Sequence, residues 1–387
     1  MRPVPGRLRE LAVVFLKLGT IAFGGPAAHV AMMEEEVVVR RRWLSREAFL
    51  DYYGATNLIP GPNSTELAIH IGHTRAGWPG LLVAGACFIL PSAVLVAAIA
   101  WLYVTYGRLP QVQGLLYGVK PVVIAIVVQA LWRLGRSAVT SVGLALLGAA
   151  AIVAAVAGVH ELVVLALAAA IAGTSQVARQ VRSGARSPGI AVVAAGAGPG
   201  VLGAAAAGMA GTVPGASLGG LFAVFLKIGA VLFGSGYVLL AFLRADLVER
   251  LGWITERQLL DAVAVGQVTP GPVFTTATFV GYLVAGGPGA VVATVGIFLP
   301  AFVFVSLSGP LVPRLRRSPI AGAMLDGVNV GSLALMAVVS WALGLAAIVD
   351  GVTLGLALAS FALLVRWRVN SAWLVLGGAV VGLVWRW

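Results

Sequence analysis

The sequence predicts an all-α polytopic membrane protein made of two homologous halves of inverted topology, with helices broken at Pro-Gly-Pro and about 13 spans. Three observations predict it. The 387-residue chain is 60% hydrophobic and 10% charged, with a mean hydropathy of +0.99, more apolar surface than one soluble core can hide. It also repeats itself: Phe15-Leu16-Lys17-Leu18-Gly19 returns as Phe225-Leu226-Lys227-Ile228-Gly229, and Trp43 and Asp51 return as Trp253 and Asp261, all 210 residues on. Finally, each copy carries a helix breaker within apolar sequence, Pro60-Gly61-Pro62 and Pro270-Gly271-Pro272, at that same separation.

Each half reads as four repeat-bearing elements followed by two plainer spans. In the first half these are a helix over 10–33, an element interrupted at 60–62, helices over 78–105 and 112–133, then spans over 139–158 and 161–179. The matching pieces fall at 217–242, 256–285, 288–309, 320–347, 351–366 and 371–386, and after the second element the separation drops to 209. The segment 10–33 contains Lys17 and lacks a small-residue cleavage site, so it reads as a retained span and not a signal peptide. Residues 1–186 and 217–387 are thus the two repeats, and 187–216 is a linker whose Ala/Gly-rich stretch 189–210 is long enough to add a span. One such span makes an odd number before the second half and turns that half over.

Charge supports the same layout. With the N-terminus in the cytoplasm, the inner loops hold Arg133 and Arg136, Arg179 to Arg186, Arg244 to Arg257, Arg314 to Arg317, and Arg366 with Arg368. Arg40-Arg41-Arg42 fall outside on this layout and are its exception. The formal charge of +12 does not indicate nucleic acid, because the basic residues sit in short clusters between apolar segments without an aromatic platform. Cys87 is the only cysteine, so neither a disulfide framework nor a cysteine metal site can be built.

The breaks carry the chemistry. A Pro-Gly-Pro ends one helical stretch and lets another begin, at Asn63, Ser64 and Thr65 in one half and near Thr275 and Thr276 in the other, with Gln267 just before the second break. Two half-helices meeting mid-membrane would aim free N–H groups and dipole ends at an anion; the plainer alternative is a kink lined by small polar residues. Lys17 and Lys227 occupy equivalent apolar settings, where a lone ammonium costs about 2.5–3.5 kcal/mol and calls for a partner, either a bound dianion or, for Lys17, the membrane interface. Gly24-Gly25 and Gly234-Ser235 follow the lysines and would break the first helix too. Glu66, His70 and His73 share a helix face in the first half only, where the second has Thr276, Val280 and Leu283. They suit proton handling, a satisfied polar stripe or, less well, a zinc site without a fourth ligand. Asp51 and Asp261 read equally as caps, ion-pair partners or substrate-linked groups.

These blocks, with Met32-Met33-Glu34-Glu35-Glu36 and Phe233-Gly234-Ser235-Gly236-Tyr237, resemble the chromate ion transporter family in its long two-domain form. The resemblance implies a proton-motive-force-linked exporter of chromate, with sulfate as a chemical mimic, in the inner (plasma) membrane. It adds His29 and Glu34 to Glu66 and His70 as proton-coupling candidates, and it supports Lys17, Asn63, Lys227, Gln267 and Thr275 as substrate positions. The expected partners are a chromate- or sulfate-like oxyanion, protons and the lipid bilayer. No cofactor, metal or nucleic acid is expected, and a homodimer is left open. An oxyanion channel, an uptake transporter and an intramembrane metal-dependent enzyme are the competing readings.

Overall fold

The computed structural model describes residues 5–22, 26–107, 109–182, 216–233, 238–316, 318–367 and 369–385, and in these the protein is all helix. Gly24, Gly25, Gly234, Ser235 and the stretch 189–210 lie outside the described residues. In the first half, α1 (Pro5–Ile21) is followed by α2 (Pro26–Glu34), which runs on into a π-helical turn (Glu35–Arg40), then α3 (Arg46–Thr56), α4 (Asn63–Tyr106), α5 (Pro110–Ala138), α6 (Val142–Val156) and α7 (Glu161–Arg182). The second half answers element for element. It comprises α8 (Leu218–Val231), α9 (Leu239–Leu243) with its π-helical turn (Arg244–Arg250), α10 (Glu256–Val268), a 3-10 turn (Val273–Thr275) leading into α11 (Thr276–Arg316), α12 (Pro319–Ala347), α13 (Gly351–Arg366) and α14 (Ser371–Trp385). Ser45 caps α3 and Ser217 caps α8, each accepting a backbone N–H of the first turn.

Five segments among the described residues are long and apolar enough to cross a membrane: α4, α5, α7, Val273–Leu307 and α12. Large apolar side chains such as Trp78, Val94, Trp132, Val153, Trp341 and Trp373 face outward, where hydrocarbon takes the place of a protein neighbour. Shorter apolar helices fill the remainder.

Both long helices double back. α4 reverses at Ala76 (φ −144°, ψ 22°) and Gly77 (φ 62°, ψ −149°), and α11 does the same at Ala285 (φ −143°, ψ 26°) and Gly286 (φ 62°, ψ −152°). The positive φ selects glycine. The arms can touch because Gly72 meets Gly80, and Gly281 meets Gly289, so closely that a Cβ on any of the four would overlap a backbone carbonyl. These pairs already stand 209 residues apart, so the lost residue falls earlier than the sequence suggested, in the first turn after the second break. There a 3-10 turn stands where the first half begins its α-helix directly. On this register His70 and His73 correspond to Phe279 and Tyr282, not to Val280 and Leu283, and the second half still lacks both histidines.

The short helices also fold back. Arg75, at the reversal of α4, pairs with Glu10 at 2.9 Å and lies 4.8 Å over the Trp43 ring, and Arg7, Leu44 and Thr74 join them around a cavity of about 120 Å³. The start of α1, the start of α3 and the reversal of α4 therefore sit together. At the opposite end, His29 reaches the Ala22 carbonyl at 3.1 Å and the Ser64 hydroxyl at 3.3 Å, gathering the end of α1 and the beginnings of α2 and α4. In the second half Trp253 likewise lies against Gly220, beside the start of α8.

The halves interlock reciprocally. α5 packs against α13 and α14 of the second half, while its counterpart α12 packs against α6 and α7 of the first. Small residues permit the close crossings: Gly114 and Gly118 meet Gly378 and Gly382, and Gly327 meets Ala168 and Ala172.

Candidate functional site

Each Pro-Gly-Pro turn is hydrogen-bonded to the end of the other half's first helix, in an exchanged pair. Gly61 N–H donates to the Leu232 carbonyl at 2.8 Å, and Gly271 N–H donates to the Ala22 carbonyl at 3.0 Å. Each break thus docks on the end of the other half's first helix; a Cβ at Gly61 would overlap the Glu66 carboxylate and only touch Ala301, while one at Gly271 would press on Ser92, the position equivalent to Ala301. Both glycines have positive φ, 140° and 86°. Pro60, Pro62, Pro270 and Pro272 hold the turns open without donating.

Asn63, Ser64 and Thr65 form the first turn of α4. The capping position falls on Pro62, and in the second half on Pro272; neither offers a side-chain acceptor, and the Pro62 carbonyl accepts from Thr65 and Glu66 N–H and the Pro272 carbonyl from Thr275 N–H, which leaves the amides ahead of them without a side-chain cap. Asn63 donates to Asn57 at 2.6 Å and Ser64 meets His29. Across the turn Thr275 shares a 2.9 Å hydroxyl contact with Ser92 and donates to the Pro272 carbonyl, and Thr276 donates to the Val273 carbonyl.

Several buried polar atoms around the turns have no hydrogen-bond partner among the described residues: Asn63 Oδ1, Thr65 Oγ1, both carboxylate oxygens of Glu66, His70 Nε2 and Gln267 Nε2. Such groups cost about 1–3 kcal/mol each when left unmade, which marks a place that a solute or protons could complete. Glu66 is wholly buried and lies directly beside Gly61. From it the polar stripe runs outward along α4: His70 is stacked on Tyr52 at 5.5 Å and 8% exposed, and His73 is at the surface.

Other expected residues sit elsewhere or are already engaged. Lys17 pairs with Glu36 at 3.3 Å, and Lys227 bonds Asp246 at 2.7 Å with Glu161 at 3.7 Å. The partner that each ammonium requires is therefore a carboxylate of its own half, held inward by the π-helical turn at equivalent positions 36 and 246. No bound dianion is needed to meet their charge. Lys17 is also half-exposed, whereas Lys227 is largely buried. Glu34 pairs with Arg46 at 3.2 Å, away from the breaks. Asp261 takes the ion-pair role left open for it, with Lys120 at 2.9 Å and the Tyr103 hydroxyl at 2.8 Å, both from the other half. Among the described residues no cluster of histidine, cysteine or acidic side chains could hold a metal ion.

Ser92, Tyr103, Lys120 and Glu161 escaped sequence reasoning. Ser92 corresponds to Ala301 and Lys120 to Asn329, so the repeat that exposed the other positions is silent at these.

The chromate transporter family model matches residues 9–174 and 219–383, one stretch in each half. A chromate transport protein of Cupriavidus metallidurans is 34% identical over 97% of this chain and 93% of its own length. One from Pseudomonas aeruginosa is 33% identical over 98% and 93%, and a probable chromate transport protein of Synechococcus elongatus 31% over 85% and 83%. No solved structure matches the chain.

Proposed function

Because the chain belongs to the chromate transporter family, a family of membrane transport proteins and not enzymes, we propose that it exports chromate, with sulfate as a mimic, by alternating access between inverted halves. The anion binds where the two Pro-Gly-Pro turns meet. The leading amides at Asn63 and Ser64, and at Val273 and Phe274 in the turn before α11, supply donors and dipole ends together with the side chains of Asn63, Ser64, Thr65 and Gln267, while Thr275 and Thr276 line the site. The observation that carries this reading is the exchanged hydrogen bonding of Gly61 and Gly271, which ties both half-helix starts into one buried centre edged by unpartnered polar groups. Lys17 and Lys227 act through their ion pairs, holding each first helix to its return arm, and not as direct ligands.

Glu66 links protons to the anion. An ionised carboxylate beside Gly61 repels a dianion and a protonated one does not, so one proton travels with each chromate. His29, already bonded to Ala22 and Ser64, and His70 relay that proton. One net negative charge then leaves the cytoplasm per cycle, and the inside-negative potential drives it by about 2.3 kcal/mol per 100 mV. The protein resides in the inner membrane with its N-terminus in the cytoplasm, and a homodimer is compatible with this scheme.

Radiolabelled chromate flux in proteoliposomes with clamped potential and imposed pH gradient tests the proposal. Flux that responds to potential and acidifies the receiving side is expected. Flux indifferent to both removes the coupling, and large single-protein currents without proton movement would favour a channel.

A further inference from the structure

We infer that the helices preceding each glycine reversal do not cross the membrane: α1, α2, α3 and the first arm of α4 enter from one face and return to it twice, and α8, α9, α10 and the first arm of α11 do the same from the other face. This goes beyond the transport proposal, sharing only its membrane setting, and places the Pro-Gly-Pro turns at the tips of re-entrant hairpins.

Contacts at the helix ends carry the inference. Arg7, Glu10, Trp43, Leu44, Thr74 and Arg75 lie together, although they belong to the start of α1, the entry to α3 and the reversal of α4. One excursion goes down α1 and back up α2, with Lys17 bonded to Glu36 between the arms; the other goes down α3 and back up the first arm of α4, with Tyr52 stacked on His70. Length agrees for the second excursion: α3 has 11 residues and the first arm of α4 runs over 63–75, about 16 Å and 20 Å of helix, whereas the second arm of α4, over 78–106, extends about 43 Å and exceeds a hydrocarbon core of about 30 Å. Non-helical backbone at the Pro-Gly-Pro tips is tolerated because protein encloses it, with Gly61 bonded to Leu232 and Gly271 to Ala22.

The second half opens on the opposite face. Its surface end meets the far end of the first half's crossings: Arg250 contacts His160 in the α6–α7 turn at 3.4 Å, and Asp261 near the start of α10 meets Tyr103 near the end of α4. Tyr117, early in α5, bonds Asp350 in the α12–α13 turn at 2.6 Å. Full crossings among the described residues are then the second arm of α4, α5, α6 and α7, and the second arm of α11, α12, α13 and α14. The end of α7 and the start of α8 fall on opposite faces.

Charge distribution follows. Arg40, Arg41 and Arg42, anomalous on the simple layout, join Arg7, Arg9, Arg75, Arg133, Arg136, Arg179 and Arg182 on one face, which the positive-inside rule makes cytoplasmic. Arg244 and Arg250 move to the outer face, where Glu249, Glu256 and Asp246 pair with them.

Single-cysteine variants of the full chain on a Cys87→Ser background test this with a membrane-impermeant maleimide, using exposed, equivalent positions Glu47 and Arg257. Glu47→Cys should label only after permeabilisation, like Ser137→Cys and Asn370→Cys, and Arg257→Cys should label in intact cells, like Val159→Cys. Arg46→Cys and Glu249→Cys duplicate the pair should either first variant misfold. The layout of about 13 simple spans makes the opposite assignment at both positions. Glu47 grouping with Val159, or Arg257 with Ser137, overturns the inference. The readout involves no cargo, so chromate flux that fails while labelling succeeds would count against the transport proposal alone.

Discussion

Replacing Lys120 by methionine strips an ammonium from 2.9 Å beside Asp261, a carboxylate only 1% exposed, at a contact between the halves. Removing one member of a buried ion pair typically costs about 3–5 kcal/mol, because the survivor keeps its desolvation penalty without its partner. Two features reduce that cost here. The Tyr103 hydroxyl still donates to the other carboxylate oxygen at 2.8 Å, a charge-assisted bond of about 1.5–3 kcal/mol, and Arg257 still acts on Asp261 electrostatically. The expected loss is therefore about 3 kcal/mol, at the lower end of the range. Lys120→Met combined with Asp261→Asn removes the stranded charge while leaving Tyr103 an acceptor, and should recover all but about 1 kcal/mol. Reversible unfolding in mixed micelles, run as a double-mutant cycle, measures both. A single variant that loses less than about 1 kcal/mol, or a double variant no better than the single, refutes the claim that this pair is buried and joins the halves.

Glu66→Gln keeps shape but cannot exchange a proton. Chromate flux should persist, lose its response to a pH gradient, and carry two net charges, raising the drive to about 4.6 kcal/mol per 100 mV; unchanged pH dependence in proteoliposomes would remove Glu66 from coupling. Gly61→Ala places a Cβ on the Glu66 carboxylate at φ 140°, and Gly271→Ala places one against Ser92 at φ 86°. Each should cost about 1–3 kcal/mol of stability and abolish chromate flux in proteoliposomes, while Gly219→Ala, with open space around it, should leave both unchanged. Ser92→Ala removes one contact of Thr275, which keeps its bond to Pro272, so about 0.5–1.5 kcal/mol should be lost on thermal unfolding.

The repeat made much of this legible. It located both breaks, the equivalence of Lys17 with Lys227 and the one-sided stripe of Glu66 and His70, because a duplicated sequence displays its own constraints without a relative for comparison. Hydropathy was less informative about path. An apolar segment over 10–33 reads the same whether it crosses or turns back, since a hairpin enclosed by other helices buries the same residue types. The lysines were legible as costly but not as paired, because Glu36 and Asp246 lie 19 residues away and reach inward only through the π-helical turns. Lys120 with Asp261 joins residues 141 apart in different halves and has no repeated counterpart, so nothing local announced it.

The interlocking of α5 with α13 and α14 bears on biogenesis. Gly114 and Gly118 are filled by the backbone of the last helix, so a nascent first half leaves the ribosome with a bare groove facing lipid until residues 371–385 emerge. Closure of this groove therefore waits for α14, and a chain stopped after α13 would present quality-control proteases with an unfinished bundle, however well its earlier helices had inserted.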